Sequence, residues 1–246
     1  MKIALCLSGY FNSLIDKTSL GIDGYNHIQK YILCNNDVDI FIHSWDVNNS
    51  KVINNIYSLF IKDQHFEIQK DFNNEFLSNK LNTIKLHKSY VHPTIIFSHF
   101  YSVQASHELM RKYEIKHNFE YDIVIKSRFD LGRINRNTSG PGKSNPYPVQ
   151  CINFNTHLDM NKFYMANWQY LDSEGPADMW FYSNSINMRN FTQLYNIIKT
   201  DLTLDSDYSK TVPTQEQLCN TIRLYKWFMI KTKLWDKKQT LETHWE

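Results

Sequence analysis

The chain has 246 residues, with 27 Lys and Arg against 25 Asp and Glu for a formal net charge of +2. Hydrophobic residues make up 42%, aromatics 15%, and there are only 7 Gly; this excludes a disordered or low-complexity protein, and the length suits one large domain. The mild charge excludes a strongly basic nucleic-acid-binding face, and a mean hydropathy of −0.50 with short apolar runs excludes a membrane span.

Ile3–Leu7 is an apolar run too short for a signal-peptide core, so it reads as a first strand ending at Ser8-Gly9. Tyr25, Ile28, Tyr31 and Ile32 then show helical spacing, followed by a turn at Asn35-Asn36-Asp37 and a second apolar strand, Val38–Ile42. A right-handed crossover makes these strands parallel and brings Ser8-Gly9 and His43-Ser44-Trp45-Asp46 to one sheet edge. Val52, Ile56, Leu59 and Phe60 predict a second helix, and His65–Ile68 a short third strand. From Pro93 to His117, Phe97, Phe100, Tyr101, Ala105 and Leu109 recur at helical spacing and lead into a strand at Tyr121–Lys126. Gly132–Pro148 is rich in Gly, Pro, Asn and Ser and reads as an irregular loop of the length often used functionally. Strand-like segments follow near Cys151–Phe154, Phe163–Ala166 and Met179–Tyr182. Met188, Phe191, Leu194, Tyr195 and Ile198 predict one amphipathic helix. Thr214-Gln215-Glu216-Gln217 reads as a capping box opening the last helix, with Leu218, Ile222 and Tyr225 inward. Alternating strands and helices of this kind imply an α/β fold with a mostly parallel central sheet flanked by helices.

Chemistry is expected where strands end. Tyr121–Asp130 stops abruptly on a cation and a carboxylate, the edge at which open α/β sheets bind ligands. Asp122 and Asp130 cannot form one pair, because eight extended residues separate them by roughly 26 Å. Arg128 and Asp130 read either as a diphosphate clamp, with guanidinium on phosphate and carboxylate on a bridging cation, or as an exposed ion pair. His43-Ser44-Trp45-Asp46 suits stacking on a base and accepting a ribose hydroxyl; the alternative is that Trp45 packs under a loop and Asp46 caps a helix. Asp178, entering an aromatic strand, is a candidate general base or a turn cap, and Glu174 is a second candidate base.

Cys6, Cys34, Cys151 and Cys219 show no metal spacing, so reduced thiols in a cytosolic compartment are expected, and the sequons at Asn48, Asn137 and Asn190 carry no meaning there. The 10 His form no HExxH and no cluster at ligand spacing, so a zinc site is not expected. The tail from Lys226 to Lys238 mixes bases with aromatics; it reads as a packed terminal element with a solvated basic face, with contact to anionic lipid headgroups as the alternative.

Ile3–Gly9, Asp39–Asp46, Tyr121–Leu131, Pro176–Phe181 and Pro213–Leu218, in this order, resemble the motifs of small glycosyltransferase-like proteins of bacteria, phages and large DNA viruses. The resemblance implies the glycosyltransferase A fold in a single domain, with residues 1–130 on the nucleotide side and 131–246 on the acceptor side. It implies a nucleotide-diphosphate-sugar donor, a glycan or other hydroxyl acceptor, and a Mn or Mg ion held by a DxD-type motif. Asp130 would match the metal carboxylate, with His244 as a late extra ligand. Leu7, Ser8, Gly9, Tyr10, Asn12, His43, Ser44, Trp45, Asp46, Tyr101, Lys126 and Arg128 would line the donor side, and Asp178 the acceptor side. Two residues depart from the pattern: Arg128 stands at the first DxD carboxylate, and Asn12 where relatives carry Arg. The alternatives are an inactive nucleotide- or glycan-binding module of the same fold and a sugar nucleotidyltransferase. The latter is disfavoured by the lack of a Gly- and Lys-rich phosphate loop. Heavy use of Asn and Ile fits an AT-rich genome such as that of a phage or large virus, and hence a host cytoplasm.

Overall fold

The computed structural model describes residues 1–11, 20–81, 92–135, 147–148, 151–168 and 170–243. Strand β1 (Ile3–Gly9) sends Ile3, Leu5 and Leu7 into one apolar cluster and Ala4 and Cys6 into another, as a strand covered on both faces must. Helix α1 (Leu20–Ile28), prolonged by a π-helical turn over Gln29–Leu33, returns the chain to β2 (Val38–Ser44). Helix α2 (Ser50–Tyr57) leads to β3 (Ile61–Phe66), and α3 (Asn73–Ser78) and α4 (Pro93–His117) precede β4 (Ile123–Arg128). Strands β5 (Ile134–Asn135) and β6 (Tyr147–Pro148) form a separate antiparallel pair. Strands β7 (Phe163–Ala166) and β8 (Phe181–Ser183), helices α5 (Ser185–Phe191), α6 (Leu194–Asp201) and α7 (Thr221–Lys231), and strand β9 (Lys238–Leu241) complete the order.

The main sheet runs β3-β2-β1-β4-β8-β7-β9. Its first four strands are parallel, β8 is antiparallel to both β4 and β7, and β9 lies parallel to β7. One face packs against Phe97 and Phe100 of α4, Phe191 of α5, Leu194 of α6 and Tyr225 of α7. The other is covered by Ile28, Ile53 and Tyr57 from α1 and α2. This is the expected α/β fold, a mixed sheet flanked by helices. No helix among the described residues is long and apolar enough to cross a membrane.

Several local expectations shift. Helix α2 buries Ile53 and Tyr57 while Val52 and Leu59 face solvent, so its apolar stripe is offset from the one read off the sequence. The third strand starts earlier, at Ile61, and leaves Ile68 exposed. Cys151–Phe154 is not a strand: the Ile152 N–H donates to His27 Nε2 (3.0 Å), and the Cys151 carbonyl accepts from Trp180 Nε1 (3.0 Å), so side chains replace a ladder partner. The single helix expected through Met188–Ile198 is two, parted at Thr192, whose hydroxyl donates to the Arg189 carbonyl (3.3 Å). The last helix opens at Asn220, whose Oδ1 accepts from the N–H groups of Ile222 (2.9 Å) and Arg223 (3.2 Å). Thr214 instead precedes a 3-10 turn, Gln215–Cys219, without a side-chain cap. The basic tail is packed: Phe228, Met229 and Leu234 are buried, and β9 pairs with β7.

Helix α4 is the polar surprise. Pro93 starts it and a left-handed Asn118 (φ 52°) ends it, both for conformational reasons. Its buried face carries Ser102, Ser106, His107 and Glu114 among the apolar residues. The Glu114 carboxylate accepts from the Tyr121 N–H (2.9 Å) and the Ser185 hydroxyl (2.6 Å) and lies 3.3 Å from Arg111. His107 donates through Nδ1 to the Val103 carbonyl (2.9 Å), while its buried Nε2 has no hydrogen-bond partner. Burial pushes its pKa down to about 4. A His with a depressed folded pKa stabilises fully above its unfolded value, about 6.5, and loses that stability as pH falls toward the folded one. Unfolding free energy is therefore expected to drop between about pH 6.5 and 4, by up to about 3 kcal/mol for such a group. His107→Leu should flatten that slope in urea titrations; an unchanged slope would remove His107 as its cause.

Candidate functional site

The order β2-β1-β4 sets the site. Connections from β1 run first to one side, through β2 and β3, and then to the other, at β4, so the C-terminal ends of β1 and β4 diverge into a crevice. Ser8 lies opposite both His43 and Arg128 in the register. A cleft of about 450 Å³ opens there. Its floor comes from the β1 end (Ser8, Gly9, Tyr10, Phe11), one wall from Trp45 and Gln69, another from Ile95, Ser98, His99 and Ser102 of α4, and the last from Arg128, Asp130 and Arg133.

Gly9 turns the chain at φ +99°, and a Cβ there would meet open space, so glycine is required by backbone conformation and not by crowding. Its N–H donates to Ser102 Oγ (2.9 Å), and its carbonyl accepts from the Ser44 hydroxyl (2.8 Å). Gly24 of α1 is required by crowding, since a Cβ would fall 1.7 Å from the Phe129 carbonyl oxygen. That close approach seats α1 against the Phe129-Asp130 corner.

Of the residues expected at the site, Ser8, Gly9, Tyr10, Trp45, Arg128 and Asp130 line the cleft together. Leu7 is wholly buried in the core. His43 is buried beside the cleft, with Nδ1 2.8 Å from Ser102 Oγ and Nε2 3.0 Å from Glu67 Oε1. Trp45 is 5% exposed and stacks on Tyr101 at 5.5 Å, with His43 edge-on at 4.7 Å, so most of the indole is already covered. Asp46 makes no side-chain cap and accepts from Asn49 Nδ2 (2.8 Å). Asn12 and His244 lie outside the described residues, as does most of the Gly132–Pro148 loop.

Arg128 and Asp130 form a two-pronged pair, Nε to Oδ1 at 2.9 Å and an Nη to Oδ2 at 2.6 Å, and Arg133 adds a contact at 3.5 Å. Beneath them Lys126, fully buried, is bound to Asp178. Asp178 also faces His99 Nε2 at 3.4 Å and Arg128 at 4.0 Å. Despite burial, His99, Lys126 and Arg128 together hold its carboxyl down at about 2, so it is a weak base with its oxygens taken. Glu174 does not join the site: it lies 3.8 Å from Arg223, beside a separate hollow with Lys226 and Trp227.

A Mn or Mg ion at Asp130 fails on the donor set. Such hard cations need several oxygen ligands, whereas both Asp130 oxygens are engaged by guanidinium groups. Among the described residues the groups placed to hold a metal ion are His43, His65 and Glu67, on the far side of His43 from the cleft's Ser102.

Sequence reasoning missed Gln69, Ser98, His99, Ser102 and Arg133. For Ser98, His99 and Ser102 the signal was the run of polar residues interrupting the apolar stripe of α4, and for Arg133 an arginine one turn beyond Asp130; Gln69 carried none. His99 lines the cleft with Nε2 held by the Tyr225 hydroxyl (2.9 Å) and Asp178, and burial lowers its pKa to about 4.

No protein-family model matches the sequence, and no curated protein matches it, so the family named above rests on the quoted motifs alone. Among solved structures, the chain is similar to the apo crystal structure of mouse xyloside xylosyltransferase 1. The identity is 11%, with 98% of this chain and 84% of that chain covered, at a TM-score of 0.43. A likeness at that level assigns neither residues nor activity.

Proposed function

We propose that the protein transfers a sugar from a nucleoside-diphosphate donor to a hydroxyl acceptor, with guanidinium groups neutralising the diphosphate. The observation that carries this reading is the pair of partly exposed arginines, Arg128 and Arg133, at the cleft where β1 and β4 part. Counting the ion-paired groups there, Lys126, Arg128 and Arg133 outnumber Asp130 and Asp178 by one charge, so the cleft favours an anion. The nucleoside would lie toward Ser8 and Trp45, the diphosphate on the arginines, and the acceptor toward His99.

As the acceptor oxygen bonds to the anomeric carbon, the bond from that carbon to phosphate breaks and the nucleoside diphosphate leaves with the electron pair. Fixed cations are most useful where that charge develops. His99, neutral at pH 7 and anchored through Nε2, is the group we assign to take the acceptor proton, with Asp178 positioning it.

The test is a panel of nucleotide sugars assayed for transfer and donor hydrolysis with and without added Mg or Mn. Turnover with either donor hydrolysis or transfer, independent of the added metal, is expected. Failure of any nucleoside diphosphate to bind under either condition would end this reading. The neutralised Asp178 favours one alternative, a binding module of the same fold; it predicts nucleotide binding with no turnover across the panel.

A further inference from the structure

The sequence offers no zinc motif, yet folding brings three ligand-bearing residues together from two adjacent strands and the residue that follows them. His43 is the penultimate residue of β2, His65 lies opposite it on β3, and Glu67 follows β3. His43 Nε2 is 3.0 Å from Glu67 Oε1, His65 Nε2 is 3.7 Å from Glu67 Oε2, and the three ligand atoms all lie within 4.8 Å of one another. Zinc bonds of 2.0–2.2 Å at tetrahedral angles separate ligand atoms by about 3.4 Å. The two His–Glu67 spacings bracket that value and the outer limit of 4.8 Å exceeds it, so the side chains must draw together around an entering cation.

The surroundings of the cluster suit such an ion. A metal-binding imidazole is normally fixed by a hydrogen bond from its other nitrogen, and His43 Nδ1 is 2.8 Å from Ser102 Oγ. His43 is fully buried and its ring is walled by Trp45 and Tyr101, so its orientation does not depend on the ion. His65 is half exposed, leaving a route of entry. Two imidazoles and one carboxylate suit a borderline ion such as zinc far better than Mg. Among the described residues an adverse charge is Lys70, whose ammonium lies 3.4 Å from Glu67 Oε2 on a side chain 44% exposed. An exposed pair of that kind is weak, of order 0–1 kcal/mol, and the lysine keeps its contacts with the Tyr101 hydroxyl and ring if it leaves Glu67.

We propose that His43, His65 and Glu67 form a zinc-class divalent cation site with water completing the shell, separate from the Arg128–Asp130 corner. The site is coupled to the cleft through Ser102, which binds both His43 and the Gly9 N–H.

The experiment is a titration of chelator-cleared protein with Zn²⁺ against a chromophoric indicator, repeated with Co²⁺ to read visible d–d bands. One saturating equivalent is expected, with Co²⁺ bands of a four- or five-coordinate site. His65→Ala, at an exposed position that should not disturb folding, and Glu67→Ala should each weaken binding beyond the ~10–100-fold seen on losing an outer-shell partner. Lys70→Met should tighten binding severalfold, a result that adventitious binding to other histidines or to Cys34 would not give. Asp130→Asn should leave Zn²⁺ affinity unchanged. Absence of a saturable equivalent, or unchanged affinity in both His65→Ala and Glu67→Ala, overturns the site.

Discussion

Asp178→Ala is expected to lower the unfolding free energy by about 3–5 kcal/mol, the cost of leaving a buried charge without its partner. The charge left behind is the Lys126 ammonium, which is 0% exposed and lies over the Phe181 ring at 5.3 Å. Against a total stability of about 5–15 kcal/mol for a typical domain, that is a severe loss. Burial already holds the Lys126 pKa below its usual value, and removing Asp178 depresses it further. The unfolded lysine, with a pKa of about 10.4, then binds more protons than the folded one, so the variant should gain stability as pH rises toward that value. Adding Lys126→Met should recover most of the loss, because a well-packed apolar side chain replaces a buried pair at little cost. Urea unfolding of the two single variants and the double variant measures this. A loss below about 1 kcal/mol in Asp178→Ala would show that the pair is not what keeps Lys126 tolerable in the core.

Arg128→Gln is expected to weaken nucleoside-diphosphate binding by about 1.5–3 kcal/mol, roughly 10- to 100-fold, the usual worth of a hydrogen bond to a charged group. The variant should fold, since the Arg128 side chain is 36% exposed. Asp130→Asn is the discriminating companion. If guanidinium groups bind the diphosphate, removing the carboxylate that occupies them should leave affinity equal or tighter. A metal-binding Asp130 would instead lose metal-dependent affinity in the same variant. Calorimetry with nucleoside diphosphates, with and without Mn, reads both; unchanged affinity in Arg128→Gln would remove the arginine from the donor site.

The sheet edge was legible from sequence because it depends on short-range rules. Apolar runs ending at Ser8-Gly9, at His43–Asp46 and at Arg128–Asp130, joined by crossovers, leave little choice but parallel strands with those ends together, and the register confirms their adjacency. The limits of α4 were equally local, set by Pro93 and by the end of its periodicity. What failed was phase and continuity: the stripe of α2 is set by which residues the sheet covers, the break at Thr192 comes with a hydroxyl-to-carbonyl bond to Arg189, and the irregular Cys151–Phe154 depends on side-chain hydrogen bonds with His27 and Trp180, distant in the chain.

The sequence by itself determined the class of fold, the edge at which ligands meet it, and the presence of Arg128 beside Asp130. Tertiary structure alone decided how those groups are spent. Asp130 is held by guanidinium groups, Asp178 neutralises Lys126, Glu174 faces another hollow, and His43, His65 and Glu67 converge. The reason is physical. Strand and helix preferences are summed over neighbours in the chain, whereas the charge state and partners of a carboxylate depend on which cations the packed core brings within about 4 Å.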